Sequence, residues 1–253
     1  MTISLVVLRC RTSDRTDGAG RGAEALGRAL GERLGIEPRI VGSAGEARPA
    51  DWSDDLRESR GCILEAGGQV DDALARGAFP VLLASDCSIC LTTLAAVARH
   101  EPDARFLWLD AHGDFHSPDT TISGYLGGMC LAGACGVWDP GLGHDPIDPA
   151  RVVQWGVREL EGGERVLLTT RGVHTITDLA PLDGMEVFLH VDLDVLDPAD
   201  MPARFPVSGG ASPEKLRDLL TEVTTRCAVV GAEITSIAPA HGTLARQVLD
   251  PLL

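Results

Sequence analysis

Short apolar runs alternate along this chain with longer stretches whose apolar positions recur every three or four residues. The runs predict strands at Ile3–Leu8, Arg39–Val41, Val81–Leu83, Arg105–Leu109, Val152–Gly156, Gly172–Thr175, Val187–Val191 and Ala228–Ile234. The intervening pattern predicts helices at Gly18–Leu34, Asp54–Ala75, Ser88–His100, Leu126–Cys135, Gly163–Thr170, Ser212–Arg226 and Thr243–Leu252. Ser212-Pro213-Glu214-Lys215 reads as an N-cap followed by proline at the first helical position. Strand and helix in alternation predict an α/β fold with a mostly parallel sheet. No repeat, low-complexity tract or linker divides the 253 residues, so one domain is expected.

Two long polar segments interrupt the rhythm: Gly113–Tyr125 and Asp194–Gly210. Each follows an apolar strand that ends in carboxylates. The first strand end reads Asp110-Ala-His112-Gly-Asp114, and the second reads Asp192-Leu-Asp194-Val-Leu-Asp197-Pro198. In open α/β sheets, ligands bind beyond the carboxyl ends of the strands, so both clusters are expected at one sheet edge. Carboxylates crowded there repel one another and lose hydration. Two divalent cations would remove that conflict, and hard oxygens with an imidazole suit manganese or another borderline ion. A single Asp at a turn is more often a cap. Asp-x-His-x-Asp with a second Asp-x-Asp is hard to explain that way. The pattern predicts a dimetal hydrolase.

Composition narrows the partners. A net charge of −15 argues against nucleic acid and fits bound cations or a cationic substrate. No apolar run approaches the roughly 20 residues of a membrane span. Nor does the N-terminus read as a signal peptide, so no membrane partner is expected. Seven cysteines, odd in number and irregular in spacing, point to a reducing cytoplasm.

The two acidic motifs resemble the hallmark motifs of the arginase/agmatinase ureohydrolases. Ala84-Ser-Asp86-Cys87-Ser88 matches that family's Gly-Gly-Asp-His-Ser, Gly156-Val-Arg158-Glu159-Leu-Glu161-Gly-Gly-Glu164 its arginine-acidic segment, and Gly231-Ala-Glu233-Ile-Thr-Ser236 its Gly-x-Asp-x-x-Glu. The resemblance spans nearly the whole chain. It implies a three-layer α/β/α architecture around a central, mainly parallel sheet, and two Mn(2+) ions as cofactor. One ion would be held by Asp110, His112, Asp192 and Asp194, the other by Cys87, Asp110, Asp114 and Asp192. Asp114 would act catalytically by orienting the attacking water. His116 and Ser123 would bind the carboxylate of a small amino-acid-like substrate, and Glu161 its amino group. The family is commonly trimeric or hexameric, which makes a homo-oligomer the expectation.

Three positions depart from the family pattern. Cys87 stands where most members have histidine, Gly127 where arginases carry a proton-shuttling histidine, and Ser236 where a glutamate grips the guanidinium. Tyr125, two residues from Gly127, is a candidate substitute for the shuttle or a packing residue. Glu233 or Ser236 is expected at the reacting end of the substrate. The cysteine and its context resemble a branch of the family that hydrolyses N-omega-hydroxy-L-arginine to ornithine and hydroxyurea in D-cycloserine biosynthesis. Two other classes stay open on the residues alone. The three departures suit a non-catalytic relative that binds an amino-acid-like ligand or a protein. Cys87-Ser-Ile-Cys90 has the spacing of a thiol–disulfide motif.

Overall fold

The β-branched and apolar runs form eight strands that hydrogen-bond in parallel throughout. The computed structural model describes residues 2–16 and 18–253. The strands are β1 (Ile3–Leu8), β2 (Arg39–Val41), β3 (Phe79–Leu83), β4 (Arg105–Leu109), β5 (Val152–Trp155), β6 (His174–Thr175), β7 (Glu186–Asp192) and β8 (Ala228–Thr235). They form one sheet in the order β2-β1-β3-β8-β7-β4-β5-β6. Parallel strands are buried on both faces, which is why they read as continuous apolar runs.

The helices are α1 (Ala19–Leu34), α2 (Trp52–Ala75), α3 (Cys90–His100), α4 (Cys130–Ala134), α5 (Gly162–Arg171), α6 (Pro213–Arg226) and α7 (Gly242–Leu249). Leu26 and Leu30 of α1, Leu216 and Leu220 of α6 and Val248 of α7 pack on one face of the sheet. Ile63 and Val70 of α2, Leu94 and Val97 of α3 and Leu131 of α4 pack on the other. The expected three-layer α/β/α architecture is therefore present. The N-cap expected at Ser212 is formed, with its hydroxyl accepting from the Lys215 amide at 3.2 Å.

Element edges moved where side chains, rather than periodicity, decide the boundary. Helix α2 begins at Trp52 because Asp51 accepts the Ser53 amide at 3.1 Å. The helix expected from Ser88 starts as a 3-10 turn, Cys87–Ile89, capped by Asp86. Helix α4 is only Cys130–Ala134, because residues 127–129 form another 3-10 turn. Strand β6 shrinks to two residues because Gly172 ends α5 in the left-handed region, φ 76°.

One covalent feature was not legible. Cys10, just beyond β1, forms a disulfide with Cys62 of α2. The expectation of cysteines kept reduced is corrected at this pair. Cys87, Cys90, Cys130, Cys135 and Cys227 are free thiols.

Candidate metal centre and active-site cavity

The four central strands, β3, β8, β7 and β4, deliver the acidic motifs to one place. Asp110 follows β4, Asp192 ends β7, Cys87 lies four residues past β3 and Ser236 follows β8. All four line a cavity of about 720 Å³ beyond the carboxyl ends of the strands, with His112, Asp114, His116, Ser123, Glu161 and Asp194. Both long polar segments contribute to its wall, as the strand-end reading expects.

Hydrogen bonds explain how so many acids share this space. Asp110 Oδ1 accepts the His112 amide at 2.7 Å and Oδ2 accepts Trp108 Nε1 at 3.2 Å. Asp192 Oδ1 accepts the Asp194 amide at 2.8 Å. Its Oδ2 accepts from Ser236 Oγ at 2.6 Å, Cys87 Sγ at 2.9 Å and Thr235 Oγ1 at 3.1 Å. His112 Nδ1 lies 3.3 Å from Asp110 and 3.2 Å from Asp194.

The electrostatics carry the cost of that crowding. Burial and the neighbouring Asp194 push Asp192 up to about 6. Asp114 is raised by burial and by Asp110, and Asp194 by burial and Asp110. The Cys87 thiol is raised by burial and by Asp192. Burial opposes a charge on His112, but Asp110 and Asp194 outweigh it and push the ring up to about 12. Each of these shifts follows from buried anions without a counter-charge.

The residues fit divalent ions. Ligand atoms of Asp110, His112 and Asp194 lie within 4.8 Å of one another, and so do those of Cys87, Asp110 and His190. Asp110 belongs to both groups. His112 Nε2 and His190 Nε2 are buried with no hydrogen-bond partner. Of the expected ligands, the first group contains Asp110, His112 and Asp194. Asp192 and Asp114 stand beside these groups on the cavity wall. Asp114 is held at φ 50°, a left-handed backbone uncommon for a non-glycine residue. His190 was missed in the sequence, although it lies two residues before Asp192 and so on the same face of the strand.

The expected substrate residues separate. His116 lines the cavity, 3.2 Å from Thr120 Oγ1 and 3.5 Å from Glu161. Ser123 lines it too, and its hydroxyl accepts the Tyr125 amide at 3.3 Å. Ser236 faces Asp192, so it orients a carboxylate as well as bordering the cavity. Glu233 is fully buried and does not line the cavity; it binds His190 Nδ1 at 2.7 Å and Thr93 Oγ1 at 2.6 Å. Its expected place at the substrate is replaced by a contact with that histidine.

Asp14 and Arg204, both on the cavity wall, were not foreseen. Asp14 accepts from Ser85 Oγ at 2.7 Å, and burial with the nearby Asp86 pushes it up to about 6. Asp86 accepts from Ser13 Oγ at 2.6 Å and from the Tyr125 hydroxyl. Arg204 lies 4.8 Å from the Tyr125 ring centre and Arg15 lies 5.1 Å from it. A Cβ on Gly127 would stand 2.6 Å from the Tyr125 ring, so the tyrosine fills the space a side chain at 127 would use. Arg158 ties the second long segment down, donating to the carbonyls of Asp194 at 2.9 Å and Val207 at 2.8 Å.

Residues 11–248 match the model of the arginase family. The chain belongs to the arginase family. It is a hydrolase of that family, as its motifs imply. It is 36% identical over 99% of its length, and 94% of the relative's, to the N(omega)-hydroxy-L-arginine amidinohydrolase of Streptomyces lavendulae. To the arginase of Bacillus caldovelox it is 34% identical over 67% of this chain and 64% of that one. The native structure of that arginase superposes with a TM-score of 0.83 at 28% identity, covering 99% of this chain and 97% of that one. Arginase from Bacillus subtilis superposes at 0.85 with 27% identity, covering 100% and 98%. Among the described residues no helix is long and apolar enough to cross a membrane.

Proposed function

We propose that this chain is a dimetal amidinohydrolase that cleaves a C–N bond of N-omega-hydroxy-L-arginine or a close hydroxyguanidine, giving ornithine and hydroxyurea in secondary metabolism. The observation that carries the reading is Ser236: its hydroxyl is spent on Asp192, so position 236 offers a substrate no carboxylate. A guanidinium bound there would lose about 1.5–3 kcal/mol of charge-assisted hydrogen bonding. An N-hydroxyl lowers the basicity of the guanidine, so a neutral form needs no such carboxylate. The similarity to the Streptomyces lavendulae amidinohydrolase over almost the full length supports the same substrate class.

Asp110, His112, Asp192, Asp194, Asp114 and Cys87 would hold two divalent ions, with manganese as the expected metal for the oxygen-rich part. Such ions supply Lewis acidity and a nucleophilic water near neutral pH. Asp114, at the cavity wall, would be the carboxylate placed to accept a hydrogen bond from such a water and to hold a proton for the leaving nitrogen. The Tyr125 hydroxyl, its proton given to Asp86, stands where Gly127 leaves room and presents a lone pair to an N–H or O–H of the hydroxyguanidine. His116, Ser123 and Glu161 border the cavity end that takes the amino-acid head group.

With manganese supplied, kcat/KM for hydroxyarginine is expected to exceed that for arginine by about 10²-fold or more, roughly 2.7 kcal/mol in the transition state. Equal values for the two compounds would refute the substrate assignment. A two-metal protein that turns over neither would point to a relative that binds without catalysis.

A further inference from the structure

His190 sits on β7 with its Cα paired to Trp108 of β4 on one side and to Glu233 of β8 on the other. Parallel registry puts the three side chains in one row across the sheet, one step beneath the row that ends in Asp110 and Asp192. The row is built tightly. Glu233 Oε1 is 2.7 Å from His190 Nδ1, and its Oε2 accepts from Thr93 Oγ1 at 2.6 Å. The imidazole stacks on the Trp108 indole, ring centres 3.5 Å apart and planes 4° from parallel. The same indole donates to Asp110 Oδ2.

A carboxylate on Nδ1 fixes the tautomer that leaves Nε2 with a free lone pair. That nitrogen has no partner, in a residue only 1% exposed. A buried polar atom left unpaired is costly, unless something absent from the polypeptide meets it. Beside this ring lie the Cys87 sulfur and an Asp110 carboxylate oxygen, and the three residues offer ligand atoms within 4.8 Å of one another. Ligands of one tetrahedral ion lie about 3.5 Å apart, so side-chain movements of about 1 Å would close the group.

We propose that His190 is a metal ligand, forming with Cys87 and Asp110 a sulfur-, nitrogen- and oxygen-bearing half of the dinuclear centre that prefers zinc or cobalt(II) to manganese. The inference rests on the proposed metallohydrolase reading and deepens it. Asp110 links this half to the oxygen-rich half made by His112 and Asp194. Where most of the family places an imidazole at position 87, this chain carries a thiol there and brings an imidazole from β7, two strands away across β8. Thiolate and imidazole are the softer donors, and they select borderline ions over hard ones. Glu233 is then a positioning residue: it touches no ligand but His190 and holds that ring in its plane.

The test uses the full chain, stripped by chelation and titrated with cobalt(II), with His190→Asn as the variant. Asparagine retains an amide N–H near the position of Nδ1, so Glu233 keeps a donor while Nε2 is lost. The wild type should bind two cobalt ions, one giving a thiolate charge-transfer band, and in competition the thiolate-linked ion should show a larger preference for zinc over manganese than the ion at His112. In the variant, affinity for the thiolate-linked ion should fall by more than the roughly 10–100-fold that loss of an outer-shell partner costs. The ion at His112 should bind as before. Two ions with unchanged affinity and an unchanged band in the variant would overturn the assignment of His190. Pulsed EPR of the wild type gives the same decision should the variant misfold: two distinct metal-bound imidazoles support the proposal and one overturns it. A wild type that binds no ion would refute the metallohydrolase reading along with it.

Discussion

At the residue scale, Asp192 bears the most. One carboxylate accepts from Cys87, Thr235, Ser236 and the Asp194 amide, so it is both the hub of the hydrogen bonds and an expected bridge between ions. Asp192→Asn would replace one anionic oxygen with a donor that opposes the Ser236 and Cys87 hydroxyl and thiol. The expected outcome is loss of both metals and all activity, read by elemental analysis after desalting; two ions retained would refute the bridging role. Gly127 is the second informative residue. In Gly127→Ala the new Cβ meets the Tyr125 ring at 2.6 Å. The ring must leave Asp86, at a cost of about 1–3 kcal/mol in stability. We expect kcat to fall about tenfold, the equivalent of about 1.4 kcal/mol, with metal content unchanged. An unaltered kcat would make the tyrosine a packing residue only.

At the element scale, the segment between β1 and α1 does more than its sequence suggests. Ser13 and Asp14 reach Asp86 and Ser85 beside Cys87, and Arg15 donates to the carbonyls of Ala50 and Gly124. Arg11 pairs with the buried Asp55 at 2.5 Å, and the Cys10–Cys62 bond clamps the start of the segment to α2. Cys62→Ser should lower the stability of the oxidised protein by about 2–4 kcal/mol, seen as a lower midpoint in denaturant. Thiol reductant should bring the wild type to the same midpoint. A midpoint unmoved by either would mean that the bond is not formed in solution. The pairing was illegible because residues 10 and 62 meet only when α2 packs against β1, 52 positions later. The C-x-x-C spacing at Cys87 was legible, yet the two thiols are not bonded to each other, and the Cys87 thiol donates to Asp192 on the cavity wall.

For the whole molecule, a charge of −15 is concentrated in part at one sheet edge, and this sets a pH dependence. Burial with Asp86 raises Asp14 to about 6, and burial with Asp194 raises Asp192 to about 6, from the ordinary 3.8. Between those values the folded protein holds protons that the unfolded chain has released. Stability of the metal-free protein therefore falls as pH rises through that window. His112 is protonated in both states at the acid end of that window; as pH approaches 7 the unfolded imidazole loses its proton while the folded one, pushed up to about 12, keeps it, which adds to the fall. The melting temperature of chelated protein should drop by several degrees from about pH 4.5 to about pH 7, at roughly 2–4 °C per kcal/mol. Excess manganese should cancel the drop, because cations favour the ionised carboxylates. A chelated protein that melts higher at pH 7 would contradict this account.

Taken by itself, the sequence determined the layers and the address of the chemistry. Apolar period sets strand or helix locally, and carboxylates following a parallel strand can only project from one sheet edge. Asp110, His112, Asp114, Asp192 and Asp194 were legible for that reason, each a short distance in sequence from its strand. What the tertiary structure alone decided were relations across strands. The order β3-β8-β7-β4 brings Glu233 under His190 and turns Ser236 onto Asp192. Position 233 looked like a substrate residue from its motif, but registry with β7 buries it beneath the cavity floor. Strand order and registry arise from packing between residues dozens of positions apart, and a single chain of letters carries no local signal for them.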